Sequence, residues 1–368
     1  MSSVGHVMIG VGNGSETFVA QTVRETDRRG WRAFVLAVDS AGRFDAIPAQ
    51  RVHVTEPAPF ARRVLDKLTR RPPQQRFTDR AAPPAQAWGL DLLHAHFGWS
   101  ARYALPLSHA LGLPLVVTFY GSDASAPPID GYRSVLAHAS RVIAVSEYVA
   151  GRLRALGFDG PIELIRNGVD LARLQPRAHA PAPKKLVFVG RMVAVKGADV
   201  LLHAMPKVLA CHPDARLELI GDGEQRPGLQ RLAEQLRIAP AVQFRGSLDH
   251  DDVLRAIADA FAVVVPSRTL PGGQAESSSM AFKEALALGV PVVATASGGL
   301  TETCPPPLRQ ELAVPGDAAS LAASALRVLD APDIDRRAAI GRAWVSERFD
   351  SELVAEQLLE TYAEAVST

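Results

Sequence analysis

Short β-branched or aliphatic runs alternate with helix-patterned stretches along almost the whole chain, and this alternation dictates parallel sheets assembled from repeated βα units. In the first half the runs are His6–Val11, Ala33–Val38, Leu92–Ala95, Leu115–Phe119, Val142–Val145 and Ile162–Ile165. In the second half they are Lys185–Val189, Arg216–Ile220, Val242–Arg245, Ala262–Val265 and Pro291–Ala294. Each set suffices for a doubly wound sheet of its own, so the expected fold class is α/β with two such domains. Between the sets, Gln175–Pro183 reads QPRAHAPAP, has no apolar period and marks the linker. The expected domains are therefore 1–177 and 178–349. A closing amphipathic helix follows over 350–368, with Leu353, Val354, Leu358, Leu359 and Tyr362 at helical spacing after Asp350 as N-cap.

A chain of 368 residues exceeds what one hydrophobic core usually organises, in agreement with two domains, and 47% apolar with 21% charged residues is the balance of a globular protein. The two cysteines, Cys211 and Cys304, have neither CxxC spacing nor a histidine partner at metal-ligand spacing, which argues against a disulfide framework or a zinc site. The N-terminus lacks the basic start and apolar run of a leader, and no stretch of about 18 apolar residues occurs, so a cytoplasmic protein is expected. Basic residues are in excess in the first half and acidic residues in the second. Much of that basic charge lies in Phe60–Arg80, which carries Arg62, Arg63, Lys67, Arg70, Arg71, Arg76 and Arg80. Such a segment is either a solvated surface insertion, broken up by Pro72, Pro73, Pro83 and Pro84, or a peripheral contact with anionic lipid at the inner membrane face. No nucleic-acid partner is expected.

The segment richest in chemistry is Gln274–Thr295, QAESSSMAFKEALALGVPVVAT. It opens a helix near Ser277, Ser278 and Ser279, stops at Gly289 and re-enters a buried strand. The N–H groups at such a helix start, with the positive dipole end, favour an anion such as a diphosphate. Glu276 precedes the helix and Glu284 lies within it, and carboxylates there suit a ligand bearing diols. Strand Lys185–Val189 runs into GRMVAVKG, so Arg191 and Lys196 fall in the loop at the carboxyl end of a parallel strand, where open α/β sheets bind ligands. Two fixed cations there can neutralise charge growing on a diphosphate leaving group.

Other matches carry less. GRMVAVKG is not a Walker A loop, because the glycine and Ser/Thr that flank the lysine of that motif are missing. GVGNG at Gly10–Gly14 follows a strand but lacks the last glycine of a dinucleotide loop, although Asp39 after Val38 mimics its acidic residue. Asp249-His250-Asp251 and Asp333-Ile334-Asp335 are textual DxD matches that precede helical patterns and read as N-caps. His94 and His96 share one strand face and read as pocket-lining residues in preference to metal ligands.

Together these segments resemble the large family of retaining glycosyltransferases that includes bacterial capsule, O-antigen and exopolysaccharide enzymes. GRMVAVKG, LELIGDGE, VQFRGSL and VVVPS with its E-x7-E segment match in the second half, and HAHFG, VVTFYGSD, RVIAVSEYV and IRNGVD match in order in the first. GSETFV and HAHFG are most similar to the colanic-acid and amylovoran branch. The resemblance implies the twin-Rossmann GT-B architecture, with domains facing across a cleft, acceptor mostly on the first, donor on the second, and the closing helix packed back on the first. It implies that Arg191 and Lys196 hold the diphosphate of the donor, Glu276 the transferred sugar and Glu284 the ribose, with Gly12 and Gly190 also among the donor-binding residues. The backbone at Ser277, Ser278 and Ser279 would approach sugar and phosphates. No metal and no separate cofactor are implied, since the nucleotide sugar is a substrate.

Two positions depart from the family pattern. Tyr120 stands in Thr118-Phe119-Tyr120-Gly121 where TFHG is common, and Ser277 follows the first glutamate where glycine is common. Tyr120, whose hydroxyl ordinarily titrates at about 10, cannot replace a histidine as base but can position the donor sugar. Asp123 in GSD is then the one carboxylate on the acceptor side that could act as a base. The expected function is sugar transfer, with retention, from a nucleotide diphosphate donor to a glycan or lipid-linked acceptor, UDP-sugars being slightly favoured over GDP-sugars. A catalytically silent nucleotide-sugar-binding subunit and a nucleotide-sugar epimerase are the alternative readings.

Overall fold

The computed structural model describes residues 2–12, 17–40, 42, 44–56, 71–124, 131–176 and 184–367. The chain divides into two units, Met1–Gly168 with Glu352–Thr368, and Val169–Ser351.

The first unit is built on strands β1 (Ser3–Val11), β2 (Arg32–Ser40), β3 (Val52–Val54), β4 (Leu92–His96), β5 (Leu115–Phe119), β6 (Arg141–Ala144) and β7 (Glu163–Leu164). They pair in the order β3-β2-β1-β4-β5-β6-β7, every pair parallel. The central strands are buried along their whole length, as a parallel sheet covered on both faces requires. β1 begins at Ser3, earlier than its apolar run, because Ser3 N–H donates to Asp91 Oδ2 at 2.7 Å and Arg32 N–H donates to the Ser2 carbonyl. Strand β3 was not anticipated: three residues are too few to show a period.

The helix Pro73–Trp88 differs from expectation. Pro73 lies in its first turn, where the missing N–H is no loss, but Pro83 and Pro84 stand inside it. Burial of Phe77, Thr78, Ala81 and Ala85 on one face holds the helix through the two prolines that were expected to break it. Arg71 pairs with Asp79 and Arg80 with Glu56. The rest of the basic run, with Arg62, Arg63, Lys67 and Arg70, lies outside the described residues. The final helix, Ser351–Ser367, places Leu358, Tyr362 and Ala365 in the core of the first unit, with the Tyr362 ring 5.3 Å from that of Trp31.

The second unit has β8 (Lys185–Val189), β9 (Arg216–Ile220), β10 (Val242–Gly246), β11 (Ala262–Val265) and β12 (Val292–Ala294), ordered β10-β9-β8-β11-β12 and parallel throughout. One face carries the helices Ala198–Cys211 and Ala318–Leu329, and the other carries His250–Ala258, Met280–Ala287 and Ile334–Arg348. Both sheets reverse their strand order beside their first strand, at β1/β4 and at β8/β11. Open α/β sheets bind ligands outside the carboxyl ends of their strands at such a reversal.

Candidate functional site

At the β8/β11 reversal two loops meet. The loop after β8 starts at Gly190, whose N–H donates to the Ile220 carbonyl at 3.0 Å, and ends in a turn Ala194–Lys196 stopped by Gly197. Gly197 has φ +66°, and a Cβ there would stand 2.1 Å from the Pro266 carbonyl oxygen, so only glycine allows the two loops to approach this closely. Arg268 clamps them further: its N–H donates to the Val195 carbonyl and its Nε to the Ala194 carbonyl.

This approach brings Lys196 to Glu276. Lys196 Nζ lies 2.5 Å from Glu276 Oε2, and Ser267 Oγ donates to the same oxygen at 3.3 Å. Glu276 is 8% exposed, and its carbonyl accepts the Gly299 N–H at 2.7 Å. Arg191, by contrast, is exposed, and its guanidinium pairs with no group among the described residues.

The helix expected near the three serines runs Met280–Ala287, capped by Ser279, whose Oγ accepts the Phe282 N–H at 3.3 Å. Ser278 Oγ accepts from the buried Lys283 Nζ at 2.9 Å, and Ser277 is half-buried. Gly289, with φ +73°, ends the helical segment. Glu284 is 5% exposed and accepts from His250 Nε2 at 2.8 Å. His250 was passed over by sequence reasoning as the middle of a DxD match. The two aspartates Asp249 and Asp333 do occupy N-cap positions, but neither side chain makes the capping bond, and Asp333 bonds Arg337 Nε at 2.7 Å instead.

In the first unit, Asp123 is wholly buried. Its Oδ1 accepts from the N–H groups of Tyr120 at 3.0 Å and Gly121 at 2.8 Å, and its Oδ2 from Gly98 N–H at 2.9 Å. Burial pushes its carboxyl up to about 6 against the pull of these backbone donors. The carboxylate thus ties the turn after β5 to the start of the helix Gly98–Leu111. Tyr120 is 7% exposed, packs against Phe97 and Phe18, and its hydroxyl meets His96 Nδ1 at 2.8 Å. Gly12, with φ +80°, lies so close to Gly42 that a Cβ would stand 2.5 Å from that backbone.

His94 and His96 are not pocket-lining residues: both are buried in β4 and share a cluster with His6 of β1, the register partner of His94. His6 Nδ1 lies 2.9 Å from His96 Nε2, His94 Nδ1 lies 2.6 Å from Tyr362 Oη, and His94 Nε2 lies 2.7 Å from Thr118 Oγ1. Desolvation drives His6 down to about 3 and holds His94 and His96 well below the usual imidazole range. One nitrogen from each ring falls within 4.8 Å of the others, which makes the cluster a metal-ligand candidate by proximity. Tetrahedral zinc holds its nitrogens about 3.3 Å apart, and here hydroxyl and imidazole partners already occupy every ring nitrogen except His6 Nε2. Hydrogen bonding therefore accounts for the cluster. His6 and Tyr362 could have been suspected only from apolar patterning that places them inside.

The sequence profile described as Glycosyl transferases group 1 matches residues 173–343, and that of Glycosyltransferase Family 4 matches residues 12–173. Glycogen synthase of Mycobacterium tuberculosis is 31% identical over 296 residues, 76% of this chain and 70% of that protein. WcaL of Escherichia coli strain K12, a protein named for colanic acid biosynthesis, is 28% identical over 281 residues, 73% of this chain and 69% of that protein. Among solved structures, sucrose-phosphate synthase from Thermosynechococcus elongatus has a TM-score of 0.81 at 22% identity, with 100% of both chains covered. Anabaena HepE in complex with UDP-glucose has a TM-score of 0.79 at 22% identity, with 99% of each chain covered. The chain therefore belongs to the glycosyl transferases group 1 family, as a nucleotide-sugar-dependent glycosyltransferase of the GT-B fold.

Proposed function

We propose that this enzyme transfers its sugar with retention of anomeric configuration and without a metal ion, from a donor held by the second unit at the β8/β11 reversal. The contact between Lys196 and Glu276 carries this reading, because it puts a cation for the diphosphate and a carboxylate for the sugar hydroxyls at one point. Arg191 and Lys196 take the diphosphate with Gly190 and the backbone at Ser277, Ser278 and Ser279; Glu276 takes the transferred sugar and Glu284 the ribose. The C1–oxygen bond to the diphosphate breaks while the acceptor hydroxyl oxygen bonds C1 on the same face. The hydroxyl proton passes to the departing phosphate oxygen. Tyr120, for the donor sugar, and Gly12, for the donor, belong to the first unit, which also receives the acceptor.

The acceptor is a glycan or lipid-linked glycan of bacterial surface polysaccharide synthesis, a reading supported by the likeness to WcaL and by GSETFV and HAHFG. A uridine donor is favoured by the likeness to a HepE structure holding UDP-glucose. Among the described residues no helix is long and apolar enough to cross a membrane, and the basic run 60–80 supplies a peripheral contact with anionic lipid. Thermal-shift screening against UDP- and GDP-sugars tests the donor assignment. A matching nucleotide sugar at 100 times its Kd stabilises by about 2.7 kcal/mol, and absence of any shift across the panel removes the reading.

A further inference from the structure

His250 opens the helix His250–Ala258, which lies on the same face of the second sheet as Met280–Ala287. Its Nε2 is 2.8 Å from Glu284 Oε1, and Glu284 Oε2 accepts from no group among the described residues. A glutamate has several rotamers, and one held by a single fixed donor presents its second oxygen in one direction. We propose that His250 is a positioning residue for the nucleoside end of the donor: it locks Glu284 so that Oε2 accepts a ribose hydroxyl, and its charge state sets the strength of that acceptor. The inference rests on the reading of Glu284 as the ribose-holding carboxylate.

Both charge states of the imidazole can keep the bond, provided that the neutral ring carries its proton on Nε2. The charged groups around His250 are Glu284, Arg173 and Asp251, and the last two pair with each other at 2.6 Å. The hydrogen bond to Glu284 raises His250 above its ordinary 6.5; burial and Arg173 oppose the rise and Asp251 adds to it. Below that titration an imidazolium compensates the Glu284 charge and weakens Oε2 as an acceptor. Above it the carboxylate keeps its full charge. Donor affinity therefore increases as pH rises through the His250 titration.

Calorimetric titration with UDP-glucose and, in parallel, GDP-mannose from about pH 5.5 to 8.5 tests this, because neither donor has a group titrating there. Wild type is expected to bind several-fold tighter at the high end. His250→Gln, which can donate to Glu284 but cannot titrate, is expected to give a flat profile. His250→Ala, which can neither donate nor titrate, is expected to give a flat profile about 5–10-fold weaker than wild type at the high end, with the loss in KM and not in kcat. In Glu284→Gln the His250 imidazole, followed by NMR, should titrate closer to 6.5. If Glu284→Ala loses donor binding while wild type, His250→Gln and His250→Ala share one affinity and one pH profile, the positioning role is overturned and the ribose reading stands. If Glu284→Ala binds like wild type, both are overturned.

Discussion

Lys196 and Glu276, far apart in sequence, meet at 2.5 Å because β8 and β11 are neighbours and the glycine at 197 lets their loops touch. The pair is asymmetric: Glu276 is nearly buried, whereas Lys196 is partly exposed. Removing the lysine therefore leaves a buried carboxylate with Ser267 as its remaining side-chain partner. Lys196→Met should weaken donor binding by about 1.5–3 kcal/mol, roughly a tenfold to hundredfold rise in Kd, and should also lower Tm. Calorimetry and thermal unfolding on the one variant check both. Unaltered donor affinity would remove Lys196 from the site.

Arg191 should behave differently. Its guanidinium is exposed and makes no pair among the described residues, so Arg191→Ala should change folding stability by no more than a surface substitution does, about 0.5 kcal/mol. Donor affinity should nonetheless fall, since a charged hydrogen bond to the diphosphate is lost. A variant that loses stability in proportion to affinity would mark Arg191 as structural.

Asp123→Asn should destabilise the first unit. Three N–H donors point at the carboxylate, and an amide nitrogen facing any of them leaves at least one donor unsatisfied, at about 1–3 kcal/mol. Chemical denaturation measures this. A full-strength fold with abolished turnover would instead identify a catalytic base.

The pH dependence of stability follows from two opposed shifts. Asp123, raised to about 6, holds a proton in the folded state where the unfolded chain has lost it, so its contribution falls as pH rises from about 4 to 6. His6, lowered to about 3, does the reverse: the unfolded chain binds a proton below about 6.5 and the folded state does not, so stability falls as pH drops from about 6.5 towards 3. His94 and His96 act in the same direction as His6. The His6 shift is larger than that of Asp123, and His94 and His96 add to it in direction, so the histidines outweigh the carboxyl. The first unit should lose several kcal/mol between about pH 6.5 and 4, read by urea unfolding at stepped pH. Stability that is flat over that window would show that the imidazoles are not held neutral.

The second unit was the more legible in sequence, because its chemistry sits in contiguous loops. Glu276, the Ser279 cap and the Gly289 stop all lie within Gln274–Thr295, and each has a local physical signature. The first unit hid its chemistry in long-range pairings: His6 meets His96 across 90 positions and His94 meets Tyr362 across 268. No local pattern distinguishes such a histidine from one that lines a pocket. Pro83 and Pro84 misled for the opposite reason, since local propensity was overridden by the buried face around Phe77 and Ala81. His250 was hidden by its neighbours, two aspartates that resembled a capping signal.

The product should keep the anomeric configuration of the donor. Inversion needs a base behind the anomeric carbon, within reach of the acceptor hydroxyl. Tyr120 stands where a histidine is common in the family, and its hydroxyl is engaged by His96. Asp123, the remaining candidate on the acceptor side, is sealed from solvent with both oxygens held by backbone donors. In the second unit, Glu276 is tied to Lys196 and Glu284 to His250. With Asp123 sealed and Glu276 and Glu284 assigned to sugar and ribose, the departing diphosphate is the group left to take the acceptor proton; it lies on the face it leaves and so directs the acceptor to that face. EDTA should not reduce the rate, because Arg191, Lys196 and the helix start at Ser279 supply the charge that a metal would otherwise provide. Proton NMR of the first product formed from an α-linked donor in the presence of EDTA reads both points together: an α-linkage at undiminished rate is expected, and a β-linkage would return the base role to a side chain.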